Sequence, residues 1–319
     1  MTSDETPGAE KVQPEAQGPN PNKPIDERLQ KLVDRAFYGG GSESAQAIRN
    51  FLNGTWLGEP LHAALTDVPL GAWSAALAFD LLDCFRNGPE FAQAADASIA
   101  LGLAGAAVAA VAGLADWSDV DPPARRLGMF HGLLNVGATA LFGASFLCRK
   151  REKRIWGRLY AGMGFAMVLA SAKLGGEMVY KHRVGVDRTN GQSFPEEFVE
   201  VMNHSDLENE KPTRAEHNGV PILLVRRGSR VFALAETCSH FGAPLSEGTL
   251  VGDSIVCPWH MSRFALADGS VINGPAVHPQ PCLEARIRDG KVEVRKSTCG
   301  RIEYALPFVP AKALTGEGS

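Results

Sequence analysis

The sequence has little excess charge, few cysteines and no glycine-rich nucleotide turn. Its 32 Lys and Arg residues against 36 Asp and Glu leave a net charge of −4 over 319 residues, which gives no electrostatic case for nucleic acid as a partner. Six cysteines are too few and too scattered for a disulfide scaffold, so we expect Cys84, Cys148, Cys282 and Cys299 to be reduced. Without a G-x-G-x-x-G turn, a bound nicotinamide or flavin is not expected either.

The N-terminal part of the chain predicts a tail followed by short helices. Residues 1–24 are polar and rich in proline, so we expect a disordered tail, and their acidic start lacks the regions of a signal peptide. Residues 25–60 predict short amphipathic helices, one from Ile25 to Phe37 and one from Ser42 through Phe51. Such helices suit either a protein core or a membrane surface.

Long apolar runs predict a four-helix transmembrane domain over residues 61–185. The run from Ala97 to Ala115 has no charged residue, and the run from Leu127 to Leu147 has only a histidine; both approach the ~20 residues that cross a bilayer. The runs from Val68 to Phe79 and from Leu159 to Ala172 are shorter and need flanking charges that reach the interface. The alternative is a soluble domain with four buried helices.

The same region resembles an uncharacterised family of predicted four-helix membrane proteins. The resemblance rests on the segments 58–62, 65–69 and 174–182, and it implies a topology with both chain ends on one side. Four spans place the loop between the second and third helices on that side too. We expect Asp67 to cap the first span, whose first turn holds Pro69.

One histidine lies inside an apolar run. His131 stands about one turn into the third span, where an ionisable side chain is a candidate functional group. A b-type haem needs two histidines from facing helices at similar depth, and His62 or His182 would supply the second. A quinone site built from the same residues is the other hypothesis. Histidines in contact with interfacial water are the plain alternative.

Two compact motifs near the C-terminus combine thiols with imidazoles. The first is Cys238-Ser239-His240, and the second is Cys257-Pro258-Trp259-His260. A structural zinc site uses the same ligand set, but zinc fingers pair Cys with Cys and His with His along the chain, whereas each motif here is mixed.

These motifs and their flanks, residues 241–246, 261–264 and 273–276, resemble the Rieske iron–sulfur family. The resemblance implies a [2Fe–2S] cluster with Cys238 and Cys257 on one iron and His240 and His260 on the other. It also implies that the Ser262 hydroxyl lies beside the cluster and that residues 273–276 cover it.

The departures from the high-potential members point to the ferredoxin type. Ala243 and Trp259 occupy the positions of the disulfide that those members carry, and Phe264 replaces a tyrosine whose hydroxyl stabilises the reduced cluster. Fewer donors predict a lower potential. Met261 stands where the family usually has glycine, so a left-handed backbone there would be strained.

The remaining boundaries follow from composition. Residues 186–196 form a polar linker, residues 197–298 the Rieske domain, and residues 299–319 a tail. Within the Rieske domain, strands are predicted at Pro221–Val225, Val231–Ala235, Leu283–Ile287 and Val292–Arg295. The expected fold is therefore a helical transmembrane bundle followed by an all-β domain.

These features predict a membrane-anchored one-electron carrier of low potential. It would work between a reductase and an oxidase, an oxygenase or a membrane cofactor, as an electron-transfer component with no substrate site of its own. The alternative is an iron–sulfur redox sensor or a regulatory subunit of a membrane complex. The expected partners are redox proteins and the lipid bilayer. The expected location is the cell membrane, with the Rieske domain on the cytoplasmic face.

Overall fold

The computed structural model describes residues 24–38, 43–86 and 88–297. Apart from Pro24, the predicted tails lie outside the described residues, as do Ser42 and Cys299. Cys84 and Cys148 are free thiols, as predicted.

Two short helices cover one end of the helical domain, close to the predicted bounds. They are α1 (Ile25–Tyr38) and α2 (Glu43–Asn53). The Asp26 carboxylate accepts a hydrogen bond from Arg125 at 2.9 Å, and Gln30 donates to the carbonyl oxygens of Trp117 and Val120 at 3.0 and 2.9 Å. The polar face of α1 therefore packs on the domain, while Ile25, Leu29 and Leu32 are exposed.

Four long helices follow: α3 (Leu61–Arg86), α4 (Pro89–Ser118), α5 (Ala124–Lys150) and α6 (Arg154–Tyr180). Each has 26 to 30 residues and is apolar enough to cross a membrane. At 1.5 Å per residue all four exceed a hydrocarbon core of about 30 Å. The predicted cap at Asp67 is wrong, because α3 begins six residues earlier, at Leu61. The polar residues 62, 66 and 67 occupy its first two turns, so apolar patterning alone placed the start too late.

The helices form two hairpins, α3–α4 and α5–α6, which pack more extensively within each hairpin than across the pair. At the centre, the buried rings of Trp73 and Phe142 stack with centroids 4.0 Å apart. Gly102 and Gly164 lie against these rings, where a Cβ atom would clash. Large apolar side chains cover the outside of the bundle and are exposed, among them Leu81, Phe85, Leu101, Val108, Leu133, Val136, Leu159 and Leu169.

A network of buried charges closes the end of the bundle that is remote from the β-domain. The Arg149 guanidinium is fully buried and contacts both carboxylate oxygens of Asp80, and it also donates to Asp96 at 3.1 Å. Arg154 pairs with Asp96, and Arg158 with Asp83. Buried charges are tolerated only when they are paired. Because the partners lie on different helices, this network ties α3, α4, α5 and α6 together.

The C-terminal domain contains two antiparallel sheets. Its strands are β1 (Val199–Asn203), β2 (Thr213–His217), β3 (Val220–Arg227), β4 (Arg230–Ala235), β5 (Thr249–Val251), β6 (Ser254–Val256), β7 (Arg263–Ala265), β8 (Val271–Asn273), β9 (Cys282–Arg288) and β10 (Lys291–Lys296). One sheet has the order β1-β10-β9-β4-β3-β2 and the other β5-β6-β7-β8. The four predicted strands correspond to β3, β4, β9 and β10.

Two loops of the same form project from this domain, residues 238–243 and 257–262. In the first, the Cys238 N–H donates to Ala243 and the Gly242 N–H donates back to Cys238, at 2.8 and 2.9 Å. In the second loop, the Cys257 N–H donates to the Ser262 carbonyl oxygen at 2.8 Å, and the Met261 N–H donates to the Cys257 carbonyl oxygen at 3.2 Å. Gly242 and Met261 hold equivalent positions and share a positive φ, 85° and 62°. The predicted conflict between Met261 and its backbone is therefore confirmed.

We expect Arg149→Met to destabilise the protein by about 1.5–3 kcal/mol, because the buried Asp80 carboxylate loses its hydrogen bonds to Arg149 and keeps only the longer contacts with Arg154 and Arg158, at 3.8 and 3.5 Å. Arg149→Lys is the matched control. It keeps the positive charge and loses the bidentate contact, so the loss of stability should be smaller than for Arg149→Met. Thermal unfolding of the detergent-solubilised protein measures both. Equal stability of Arg149→Met and the parent chain would mean that the network does not hold the helices together.

We expect Met261→Gly to stabilise the second loop. Left-handed strain of roughly 1–2 kcal/mol is relieved, against roughly 0.5–1 kcal/mol of extra unfolded-state entropy for glycine. Gly242→Met, at the equivalent position, should destabilise the first loop. The temperature at which the bound cluster loses its visible absorbance reports both effects, and a lower temperature for Met261→Gly would contradict the expectation.

Candidate metal centre

The four predicted ligand residues meet at one tip of the β-domain. Cys238 and His240 lie on the loop that follows β4, and Cys257 and His260 on the loop between β6 and β7. Both thiols are buried at 1% exposure, next to the core residues Ile255 and Phe264. The two imidazole rings lie further out, with centroids 5.1 Å apart and planes at 90°. The thiol pair is thus deep and the imidazole pair is at the edge.

The protonation states of these groups suit metal ligands. Burial lowers the pKa of both His240 and His260, so both imidazoles are neutral. A hydrogen bond from Cys238 lowers the pKa of Cys257 to about 7, and the same bond raises the pKa of Cys238. Among the described residues, the buried Nδ1 atom of His240 has no hydrogen-bond partner. Neutral imidazoles and a thiolate are the forms that bind metal, and a buried nitrogen without a hydrogen-bond partner fits an iron ligand.

Ser262 joins the second ligand loop to the loop at residues 273–276. Its side chain is fully buried, and its hydroxyl oxygen accepts a hydrogen bond from the Ala276 N–H at 2.9 Å. Because a hydroxyl oxygen that accepts keeps its own proton for donation, Ser262 can still donate to a neighbouring sulfur. Ala243 and Phe264 are buried as well, and neither offers a donor.

Gln280 holds the first ligand loop and was not found from the sequence. Its side chain is 2% exposed. Its oxygen accepts from the Ser239 N–H at 2.8 Å, and its nitrogen donates to the carbonyl oxygens of Ala235 and Thr237 at 3.0 and 2.9 Å. A lone glutamine between two prolines carries no periodic signal, so only the folded loop identifies this positioning role.

The imidazole edge faces the helical domain of the same chain. The Asn50 side chain on α2 accepts from the Gly274 N–H at 2.9 Å and donates to the Ile272 carbonyl at 3.3 Å. Asp121, between α4 and α5, lies 3.5 Å from Nε2 of His260. The tip therefore rests on α2 and on the α4–α5 connection.

Two cavities flank this edge. One, of about 50 Å³, lies between His240 and residues 53, 60, 116 and 120 of the helical domain; it has room for a few waters and is far below the ~300 Å³ of a ligand pocket. The other, of about 260 Å³, lies beside His260 between Arg49, Asp119 and the exposed Trp259 and Met261. His260 is thus the imidazole that can be approached from outside.

The histidines of the helical domain are only partly brought together. His62 on α3 and His131 on α5 face each other, with ring centroids 6.3 Å apart. His182 lies beyond the end of α6, seven residues after Gly175, which is the glycine next to His131. At 1.5 Å per helical residue that is about 10 Å away, so the structure pairs His131 with His62.

The β-domain is similar in sequence to ferredoxins and to a segment of one longer protein. "Ferredoxin CarAc" of Metapseudomonas resinovorans is 34% identical over 98 residues, which are 30% of this chain and 92% of that protein. "Apoptosis-inducing factor 3" of Homo sapiens is 33% identical over 105 residues, 32% of this chain but only 17% of that protein. The solved "Ferredoxin of carbazole 1,9a-dioxygenase from Nocardioides aromaticivorans IC177" is 27% identical with a TM-score of 0.30, covering 31% of this chain and 98% of its own.

Two families match successive parts of the chain. Residues 58–188 match "Predicted membrane protein (DUF2231)", and residues 197–284 match "Rieske [2Fe-2S] domain". The cofactor of the β-domain is accordingly a [2Fe–2S] cluster, which excludes the zinc alternative. The chain therefore belongs to the Rieske [2Fe–2S] family, with its cluster domain placed after a DUF2231 membrane domain.

Proposed function

We propose that this protein is a membrane-anchored electron carrier of low potential, with Cys238, His240, Cys257 and His260 as the cluster ligands. It would pass single electrons between a reductase and an oxidase, an oxygenase or an acceptor on the membrane side. The observation that carries the proposal is the meeting of two buried thiols and two imidazoles at a tip that rests on the protein's own apolar helices. When bound, a Rieske cluster supplies reversible one-electron chemistry.

The protein residues hold and shield that chemistry. The closed loops at 238–243 and 257–262 present the two thiols inward, and Gln280 keeps the first loop in place. Asn50 and Asp121 hold the imidazole edge against the helical domain, and the cavity beside His240 measures only about 50 Å³. The open cavity beside His260 leaves one route for a soluble redox partner, with Trp259 and Met261 as its exposed contacts.

Membrane anchoring is supported by the exposed apolar surface of the bundle. Helices of 26 to 30 residues with apolar outer faces have the length and composition of bilayer spans. The exposed apolar face of α1 suits a helix that lies in the membrane interface. We propose that the Rieske domain is on the cytoplasmic side. Labelling of an engineered surface cysteine in intact cells and in inverted vesicles tests the side.

The scarcity of hydrogen-bond donors near the cluster favours a low potential. Ala243 and Trp259 form no disulfide, and Phe264 has no hydroxyl, so Ser262 is the side-chain hydroxyl of this loop placed to donate to a cluster sulfur. A donor stabilises the extra negative charge of the reduced state more than the oxidised state, so each lost donor lowers the potential.

The second candidate function is a redox sensor. It is favoured by the packing of the imidazole edge on α2, because a change of cluster charge acts directly at that contact. Hydrogen exchange of residues 43–53 separates the two: a sensor loses or gains protection on reduction, whereas a carrier keeps the same protection in both states.

The carrier function is tested with experiments on the full chain. Membranes should retain the protein until detergent is added, and the purified protein should contain two iron and two acid-labile sulfide per chain. Its midpoint potential should lie below that of quinol-oxidising Rieske proteins. Zinc without sulfide, extraction without detergent, or a potential as high as in those proteins would each count against the proposal.

Two substitutions should move the potential in opposite directions. Ser262→Ala removes a donor worth about 1 kcal/mol more to the reduced state, which corresponds to a drop of roughly 40 mV for one electron. Phe264→Tyr adds a hydroxyl and should raise the potential by a similar amount. Redox titration followed by electron paramagnetic resonance measures both, and an unchanged potential for Ser262→Ala would remove Ser262 from this role.

A further inference from the structure

The two helical hairpins repeat one arrangement of side chains. On α3, Trp73 follows His62 by 11 residues and Asp80 follows Trp73 by seven; on α5, Phe142 and Arg149 follow His131 with the same spacings. Members of the two series meet one another: the imidazoles face each other, the aromatic rings stack, and Asp80 pairs with Arg149. The bundle therefore has an approximate twofold axis along its length, as in membrane proteins built from parallel repeats.

The partner helices obey the same repeat. Gly102 and Gly113 on α4 correspond in spacing to Gly164 and Gly175 on α6. A Cβ atom at Gly113 would lie 2.7 Å from the His62 ring, and one at Gly175 would lie 3.2 Å from the His131 ring. Both imidazoles thus depend on a glycine that lets the ring approach the neighbouring helix.

Both imidazoles are held in the same tautomer. Nδ1 of His62 lies 2.9 Å from the Ala109 carbonyl oxygen on α4, and Nδ1 of His131 lies 3.0 Å from the Ser171 carbonyl oxygen on α6. Because a carbonyl oxygen only accepts, each Nδ1 carries the proton and each Nε2 keeps its lone pair. This is the arrangement in which protein histidines bind metal ions, with the other nitrogen fixed by an outer partner.

We propose that the helical domain binds one b-type haem between His62 and His131. Two metal–nitrogen bonds of about 2 Å place the ligand atoms about 4 Å apart, which ring centroids 6.3 Å apart allow. The number of ligands selects haem over a free ion. A zinc site needs three or four protein ligands, whereas haem brings its own ring nitrogens and needs only two histidines from the protein.

At this level the imidazoles lie against small residues of the neighbouring helices. Ala109, Gly113, Ser171 and Gly175 are the small residues that α4 and α6 contribute beside the imidazoles, and the rings themselves are only half-buried. Below them, the Trp73–Phe142 stack fills the bundle centre, which confines the site to the half nearest the β-domain. Asn135 donates to Nε2 of His131 at 3.1 Å and would exchange that bond for the iron.

A haem at this place would be the electron acceptor or donor on the membrane side of the cluster. This role of the haem rests on the proposed function. Ala109 and Asp116 are seven residues apart on α4, about 10 Å, and Asp116 lines the cavity at His240. Binding of the haem itself can be measured separately from the cluster.

The test uses the full chain, expressed with added haem precursor and purified in detergent. A pyridine haemochrome assay should give one haem b per chain, and the reduced-minus-oxidised spectrum should show a sharp band that the cluster lacks. His62→Ala and His131→Ala should each lower the haem content at least tenfold. His182→Ala is the matched control and should keep the haem.

All three variants should keep the cluster resonance of the parent chain, which shows that they fold. His62→Gly should regain the haem spectrum when imidazole is added, an effect that a merely structural histidine would not give. A cluster-loaded protein without haem, haem that survives His62→Ala and His131→Ala, or a bound quinone in place of haem would each overturn the inference. Loss of the cluster with haem retained would instead count against the proposed function alone.

Discussion

The contact between Asn50 and the loop at residues 272–274 sets the direction in which the iron–sulfur domain faces. The Asn50 side-chain amide accepts from the Gly274 N–H and donates to the Ile272 carbonyl oxygen. These two bonds fix the position of the loop relative to α2. Because Ala276, two residues after Gly274, donates its N–H to the Ser262 hydroxyl oxygen, the contact extends to the edge of the metal centre. The imidazoles consequently lie against the helical domain rather than in open solvent.

The helical domain places different kinds of side chain at different levels along the length of the bundle. Paired charges close the remote end, a buried aromatic stack fills the middle, and two histidines with fixed tautomers occupy the end below the β-domain. A charge in a low-dielectric interior requires a partner, which explains why Asp80 and Arg149 occur together. Repetition of one hairpin supplies both partners, because equivalent positions meet across the approximate twofold axis.

Local patterns in the sequence identified most elements of the fold. Apolar run length identified all four long helices, and the helices of residues 25–60 appeared within a few residues of their predicted bounds. The start of α3 was placed late because its first turns carry polar side chains that the end of the bundle accommodates. The strands β5 to β8 have three residues each, too few for a period-2 pattern to show. The strain at Met261 was foreseen because its position within the second loop is fixed by the motif itself.

The sequence by itself indicated the cofactor class through its resemblance to the Rieske family, because the two Cys/His motifs that carry the resemblance are short and local. It also determined the number and approximate extent of the apolar helices, for the same reason. Only the tertiary structure decided that His131 meets His62 and not His182, that Arg149 closes on Asp80, and that Asn50 holds the tip through Gly274. These partners are separated by tens to hundreds of residues, and no local period records such a pairing; it arises from the packing of whole helices and sheets.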